Sequence, residues 1–168
     1  TVVCGHSSYD SKRVIHTLNP DFIEILGVND RVQLAECAAL MRDEINEEWM
    51  RDGVTMIDPT TTWVDVTAEL EADCVIYPGT SIFGSTTIAS GTVIGPRTTL
   101  VDCQVADGAR VIESDCIDAT IGVDAYVGPV KPLRSGTVLE AATRVGSFVG
   151  RKNSHVGAGS HAPPLTDS

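Results

Sequence analysis

The chain has 168 residues, with 12 Lys+Arg against 23 Asp+Glu and a net charge of −11. That balance excludes a nucleic-acid binder working through a basic face, and an electrostatic membrane anchor. Hydrophobic residues make up 42% and aromatics only 5%, so the chain can build a core, but from aliphatic and small side chains. No apolar run approaches the roughly 20 residues of a membrane span. The polar stretch 4–10 is followed by no apolar signal-peptide segment. The cysteines are Cys4, Cys37, Cys74, Cys103 and Cys116, an odd number without a CxxC pair. This argues against a disulfide framework or a zinc site, and for reduced thiols in a cytoplasmic protein. The chain does not start with Met, which reads as a fragment.

Residues 1–26 show little periodicity. Their apolar stretch Phe22-Ile23-Glu24-Ile25-Leu26 fits a strand or a loop leaving a domain. The spacing then predicts a helix over 30–52. Leu34, Ala38, Met41, Ile45 and Trp49 recur at steps of three or four residues and form one apolar stripe. Asp30 followed by Gln33 predicts a capping box, and Gly53 a C-terminal stop. Asp43, Glu44, Glu47 and Glu48 fall on a solvated face.

From Val64 the period becomes six. Val64, Leu70, Ile76, Ile82, Ile88, Ile94 and Leu100 keep it strictly. After a one-residue slip, Val105, Val111 and Ile117 continue it. After another, Ile121, Val127, Leu133, Leu139 and Val145 do so, and Val156 and Ala162 form a last pair. Four residues after the aliphatic usually stands a small one: Ala68, Cys74, Thr80, Thr86, Thr92, Thr98, Ala109, Ala125, Thr137, Thr143 and Ser160. Neither a helix nor an alternating strand has this period. It is the hexapeptide repeat of a parallel β-helix, a triangular prism with about 18 residues per coil and roughly five coils. The aliphatic points inward, the small residue fits the narrow interior, and Gly, Asp, Asn or Ser takes the turn. A narrow prism leaves little room for rings, which accounts for the few aromatics. On the repeat alone, the prism is only a rigid scaffold whose end coils need capping or pairing.

Several strings are more specific. Gly27-Val28-Asn29-Asp30-Arg31-Val32-Gln33-Leu34-Ala35-Glu36 resembles the domain junction of the bacterial bifunctional N-acetylglucosamine-1-phosphate uridyltransferase / glucosamine-1-phosphate acetyltransferase family. The resemblance continues through Ile45-Asn46-Glu47-Glu48-Trp49-Met50, Gly53-Val54-Thr55, Ile57-Asp58-Pro59 and Val75-Ile76-Tyr77-Pro78-Gly79-Thr80. It includes Leu133-Arg134-Ser135-Gly136-Thr137-Val138-Leu139, Val145-Gly146-Ser147-Phe148-Val149 and Lys152-Asn153. It covers residues 27 to about 162. What it implies is a mainly β chain, a left-handed parallel β-helix behind a linker helix and the tail of an α/β nucleotidyltransferase domain. The implied divisions are a remnant of that domain over 1–29, a linker helix over 30–53 and a truncated β-helix domain over 54–168. The implied function is synthesis of UDP-N-acetylglucosamine, a precursor of peptidoglycan and lipopolysaccharide. Acetyl transfer from acetyl-CoA to glucosamine 1-phosphate precedes uridylyl transfer from UTP with Mg2+. Sugar phosphate and nucleotide-sugar ligands, a homotrimer and a cytoplasmic setting come with it.

Site residues follow from the same resemblance. Asn29 matches a family Asn that helps hold Mg2+, a role suited to an amide oxygen. Without the resemblance it reads as a turn or helix-cap Asn. Arg134 matches the Arg that binds the sugar phosphate with its planar fork, and Lys152 the Lys of the same acceptor site. Without the resemblance both read as solvated surface cations. The family's catalytic His, the general base toward the sugar amine, falls on Pro164, which cannot titrate. Its nearby Tyr falls on Asp167. A missing general base typically costs about 10²–10⁴-fold in rate. His161 stands three positions early, and His155 reads as an exposed turn residue. The acetyl-CoA contacts and the rest of the uridyltransferase site would lie outside the chain. The chain alone is therefore expected to be inactive in both half-reactions. The alternative is a non-catalytic β-helix that trimerises or serves as an interaction scaffold. A zinc β-helix of the carbonic-anhydrase type needs three converging His, and two of the four here, His6 and His16, lie outside the repeat. An ice-binding Thr ladder is excluded because Thr80, Thr86, Thr92 and Thr98 follow one another round the prism.

Overall fold

Two-residue strands separated by corners carry most of the chain, because only every sixth side chain or so is large, apolar and inward. The computed structural model describes residues 28–129, 132–146 and 155–162. The described residues fall into two compact units, one ending at Met41 and one beginning at Arg42. The helix Arg31–Arg51 runs across that boundary.

The helix starts as a variant of the predicted capping box. The Asp30 carboxylate accepts from the Gln33 N–H at 2.8 Å. The Gln33 amide oxygen, however, accepts from the N–H of Asn29 rather than of Asp30, also at 2.8 Å. The C-terminus closes as predicted. Gly53 takes φ +100°, Val54 N–H donates to Trp49 O at 3.0 Å and Gly53 N–H to Met50 O at 3.3 Å. This pair of bonds is the Schellman stop, which needs a left-handed residue after the helix.

In the second unit, the parallel β-helix has three faces. A seven-stranded sheet runs from Thr55–Met56 to His161–Ala162, a four-stranded one from Trp63–Val64 to Asp115–Ile117, and a six-stranded one from Glu69–Leu70 to His155–Val156. All the described pairings are parallel, and each strand pairs with the strand one coil away, giving about five coils. Stacked inward residues form the core: Ile76, Ile94, Val111, Val127 and Val145 on one face, Val64, Ile82 and Leu100 on the next, Leu70, Ile88, Val105, Ile121 and Leu139 on the third. Ile45 and Trp49 of the predicted helical stripe pack against this core.

One register differs from the expectation. Ile117 is 53% exposed, and Cys116 is the buried residue, in register with Leu100. Successive strand residues alternate faces, so burying Cys116 turns Ile117 outward. The chain takes five-residue steps from Leu100 to Val105, from Val111 to Cys116 and from Cys116 to Ile121. The constant feature is therefore not the step of six. It is a small residue two positions before nearly every inward one, and on the same side of the chain; Lys131 before Leu133 is the exception. Cys103, Ser114 and Ala119 hold that place before Val105, Cys116 and Ile121, and all three are buried. Coil length varies at the corners, where one residue can be dropped without turning any side chain over.

The inward threonines have a second purpose. Thr80, Thr86, Thr137 and Thr143 each donate their hydroxyl to the carbonyl three residues back, at 2.6–2.7 Å. The hydroxyl gives each of these corner carbonyls a partner inside the prism; the Phe83 carbonyl also accepts from the Asp102 N–H at 3.2 Å. Thr86 Oγ1 also accepts from Cys103 N–H at 3.2 Å. Thr92 Oγ1 is buried and finds no partner among the described residues. Thr92→Val should therefore leave stability unchanged or raise it by up to about 1 kcal/mol, whereas Thr86→Val should cost about 1–3 kcal/mol. Urea unfolding of the two variants checks this contrast.

Burial pushes the Cys74 thiol up to about 11 and raises those of Cys103 and Cys116. These sulfurs fill space in the stack and carry no thiolate at neutral pH.

Candidate functional site

The corner after Leu133 is the best-built polar surface among the predicted site residues. Leu133 is buried and bridges in parallel to Cys116; its N–H donates to Asp115 O at 2.8 Å. Arg134 then turns outward. Its carbonyl accepts from the Thr137 hydroxyl at 2.6 Å and the Thr137 N–H at 3.2 Å. One coil below, Asp118 holds the rest of the turn. Its carboxylate accepts from the Ser135 hydroxyl at 2.5 Å, and its carbonyl from the Gly136 N–H at 2.9 Å. The backbone under Arg134 is thus fixed on both sides. The side chain is exposed and makes no ion pair among the described residues. A free guanidinium on a fixed base can meet a phosphate in the two-pronged geometry that suits both.

The other predicted residues are placed differently. Lys152, Pro164 and Asp167 lie outside the described residues. Asn29 precedes the helix, is exposed, and uses its backbone N–H on Gln33. One amide oxygen is too small a donor set for Mg2+, which takes six oxygen ligands. Among the described residues no three His, Cys, Asp or Glu side chains converge on a metal-sized site.

His155 is exposed, as expected, but it lies in the strand His155–Val156 rather than in a turn, and it is tied down. Its Nε2 lies 2.6 Å from Glu140 Oε1, while Glu140 Oε2 accepts from Ala158 N–H at 2.8 Å. Glu140 thereby clamps the next coil onto the strand Thr137–Leu139. The Ala158 N–H first, then His155, hold the Glu140 carboxyl below its ordinary value of 4.5. A depressed carboxylate contributes stability above its unfolded value and loses it as the pH falls through its folded one. The chain should lose stability below about pH 4.5, and Glu140→Gln should remove part of that dependence. Thermal melts from pH 3 to pH 7 on both proteins measure it; identical pH profiles would reject the clamp.

A feature not found by sequence reasoning is a ladder on the outer face of the seven-stranded sheet: Arg110, Tyr126 and Arg144 in mutual register. Its signal was present as separations of 16 and 18 residues, about one coil each, but only the coil register makes those positions neighbours.

Fold and repeat together define the class: a hexapeptide-repeat parallel β-helix entered through a helix. Among solved structures, the chain is similar to the acetyltransferase domain of PglB from Neisseria gonorrhoeae in complex with acetyl coenzyme A. The TM-score is 0.58 at 14% identity, over 74% of this chain and 62% of that one. A second structure of the same domain gives a TM-score of 0.55 at 13% identity, over 74% of this chain and 62% of that one. These likenesses concern the fold.

The sequence is similar to curated proteins named bifunctional protein GlmU, as its motifs led one to expect. With that of Rhodococcus opacus it shares 48% identity over 146 residues, 87% of this chain. With that of Mycolicibacterium vanbaalenii it shares 49% over 142 residues, 84% of this chain, and with that of Streptomyces coelicolor 44% over 166 residues, 99% of this chain. The chain spans only 29–34% of the length of these relatives. No family model matches it.

Proposed function

We propose that the chain is the linker and early β-helix part of a bifunctional transferase that makes UDP-N-acetylglucosamine in the cytoplasm, and that Arg134 holds the phosphate of glucosamine 1-phosphate. The observation that carries this reading is the free guanidinium of Arg134 on a corner fixed by Asp118 and Thr137. The likeness to GlmU proteins across 84–99% of the chain supports it, and the substrate class is the one the motif resemblance implies. In this reading residues 1–29 are the tail of a nucleotidyltransferase domain, 30–53 the linker helix, and 54–168 a left-handed β-helix. Asn29 would lend one oxygen to Mg2+, whose remaining donors would come from elsewhere in the complete site. Lys152 would join Arg134 at the sugar phosphate, and acetyl-CoA would be the acyl donor. With Pro164 at the place of the general base, the amine is not deprotonated by this chain, so binding without acetyl transfer is the expected behaviour.

Titration calorimetry with glucosamine 1-phosphate tests the proposal. The expected result is binding that Arg134→Ala weakens about tenfold or more, the loss of one charge-assisted contact. Equal affinity in both proteins would sink it. A second reading, a non-catalytic scaffold that assembles as a homotrimer, is favoured by a specific feature. Phe83, Val101 and Ile117 stack in register on the outer face of the four-stranded sheet, with Phe83 and Ile117 exposed. Three apolar side chains in a row suit burial against another copy. A trimer by light scattering with no sugar-phosphate heat would favour the scaffold.

A further inference from the structure

The arginine ladder is independent of the Arg134 corner. Arg110 is in register with Tyr126, and Tyr126 with Arg144. Their strand neighbours Val111, Val127 and Val145 are buried, so the three point outward. Adjacent strands lie about 4.8 Å apart, which puts the two arginine Cα atoms about 10 Å apart with the tyrosine between them. With Gly108, Asp124 and Gly146 they line a cleft of about 510 Å³. The Asp124 carboxylate leans over the Gly108 corner, where a Cβ would meet its Oδ1 at 2.4 Å.

Arg42, Arg51 and Arg97 each pair with a carboxylate. Arg110 and Arg144 form no ion pair among the described residues. In a chain of net charge −11 this cleft brings two unpaired guanidiniums together; Arg31 and Arg134, also without an ion pair among the described residues, do not line it. A monoanion such as a carboxylate is satisfied by one guanidinium fork. Two forks separated by a phenol match an anion with two linked charged centres. We propose that this cleft binds the diphosphate group of a small molecule. Arg110 and Arg144 take one phosphoryl unit each, and the Tyr126 hydroxyl donates between them.

The probe is inorganic pyrophosphate without metal, titrated calorimetrically into the full chain at low salt. The expected result is saturable binding, weakened about tenfold or more by Arg110→Ala or by Arg144→Ala and unchanged by Arg134→Ala. Inorganic phosphate should bind about tenfold or more weaker than pyrophosphate, because it cannot span the two forks. Arg144→Lys keeps the charge and loses the fork, so it should weaken pyrophosphate also. Circular dichroism of each variant confirms that the coils are intact. No heat at millimolar pyrophosphate, an affinity in either alanine variant equal to that of the unaltered chain, or loss confined to Arg134→Ala would each overturn the proposal.

Discussion

Gly128→Ala should destabilise the β-helix by about 4 kcal/mol, the sum of two separate penalties. Gly128 has φ +123°, a backbone conformation that a side chain resists. A Cβ there would also sit 2.1 Å from the carbonyl oxygen of Ile112 and 3.0 Å from its carbonyl carbon. Those are backbone atoms of the adjacent coil, and Ile112 N–H is committed to Val127 O at 2.9 Å. Neither partner can step aside without breaking the ladder. Gly122→Ala is the companion case without an unusual φ. Its Cβ would meet Glu140 C and Leu139 O, both at 2.7 Å. It should cost about 1–3 kcal/mol through crowding alone. Chemical unfolding measures both. Because each coil touches only its neighbours, the loss should centre on the coils around residue 128. A change under about 1 kcal/mol for Gly128→Ala would show that this corner slides freely.

Asn46→Asp should be nearly as costly, about 3 kcal/mol or more at neutral pH. Asn46 is fully buried, and its amide nitrogen donates to Pro59 O at 2.9 Å and to Thr62 O at 2.8 Å. Those two carbonyls flank the 3-10 turn Pro59–Thr61, so one side chain fastens the end of the helix to the first coil. A carboxylate would replace both donors with a buried charge facing two carbonyl oxygens. Burial and those oxygens both disfavour the ionised form, so the introduced Asp should have a raised pKa. Its penalty should shrink as the pH falls, the sign opposite to that expected for Glu140. Asn46→Ala, which loses the bonds without adding a charge, should cost about 2 kcal/mol at any pH. Melts at pH 5 and pH 8 separate the two variants. A pH-independent deficit in Asn46→Asp would mean that the site is wet. Nearby, Arg42 adds a weaker fastening, with its guanidinium 2.7 Å from Thr60 O and 5.0 Å from the Trp63 ring centre.

Asn46 also shows where pattern reading stops. It lies within the string that marked the family resemblance, yet the apolar stripe passes over it, since an amide is not an expected core residue. It is buried because the carbonyls of Pro59 and Thr62, at either end of the turn, both take its amide N–H groups. Cys116 was missed for the reverse reason. The period follows aliphatic side chains, and at this point Ile117, not the thiol beside it, keeps the step of six. Inside the stack its volume suffices, and alternation along the strand leaves Ile117 in solvent.

The sequence by itself determined the β-helix, its three-sided repeat, the helix before it and the glycine stop at the helix end. Those features rest on local rules: a short repeat, a capping side chain and a glycine after the last turn. It also placed Arg134 at the surface, because a residue that follows an inward aliphatic points out. Only the tertiary structure decided which residues meet across coils. The five-residue steps set that register, and no single coil reveals how many residues its corners will drop. Hence the Arg110–Tyr126–Arg144 ladder, the Glu140–His155 clamp and the Phe83–Val101–Ile117 ridge became visible only once the coils were stacked.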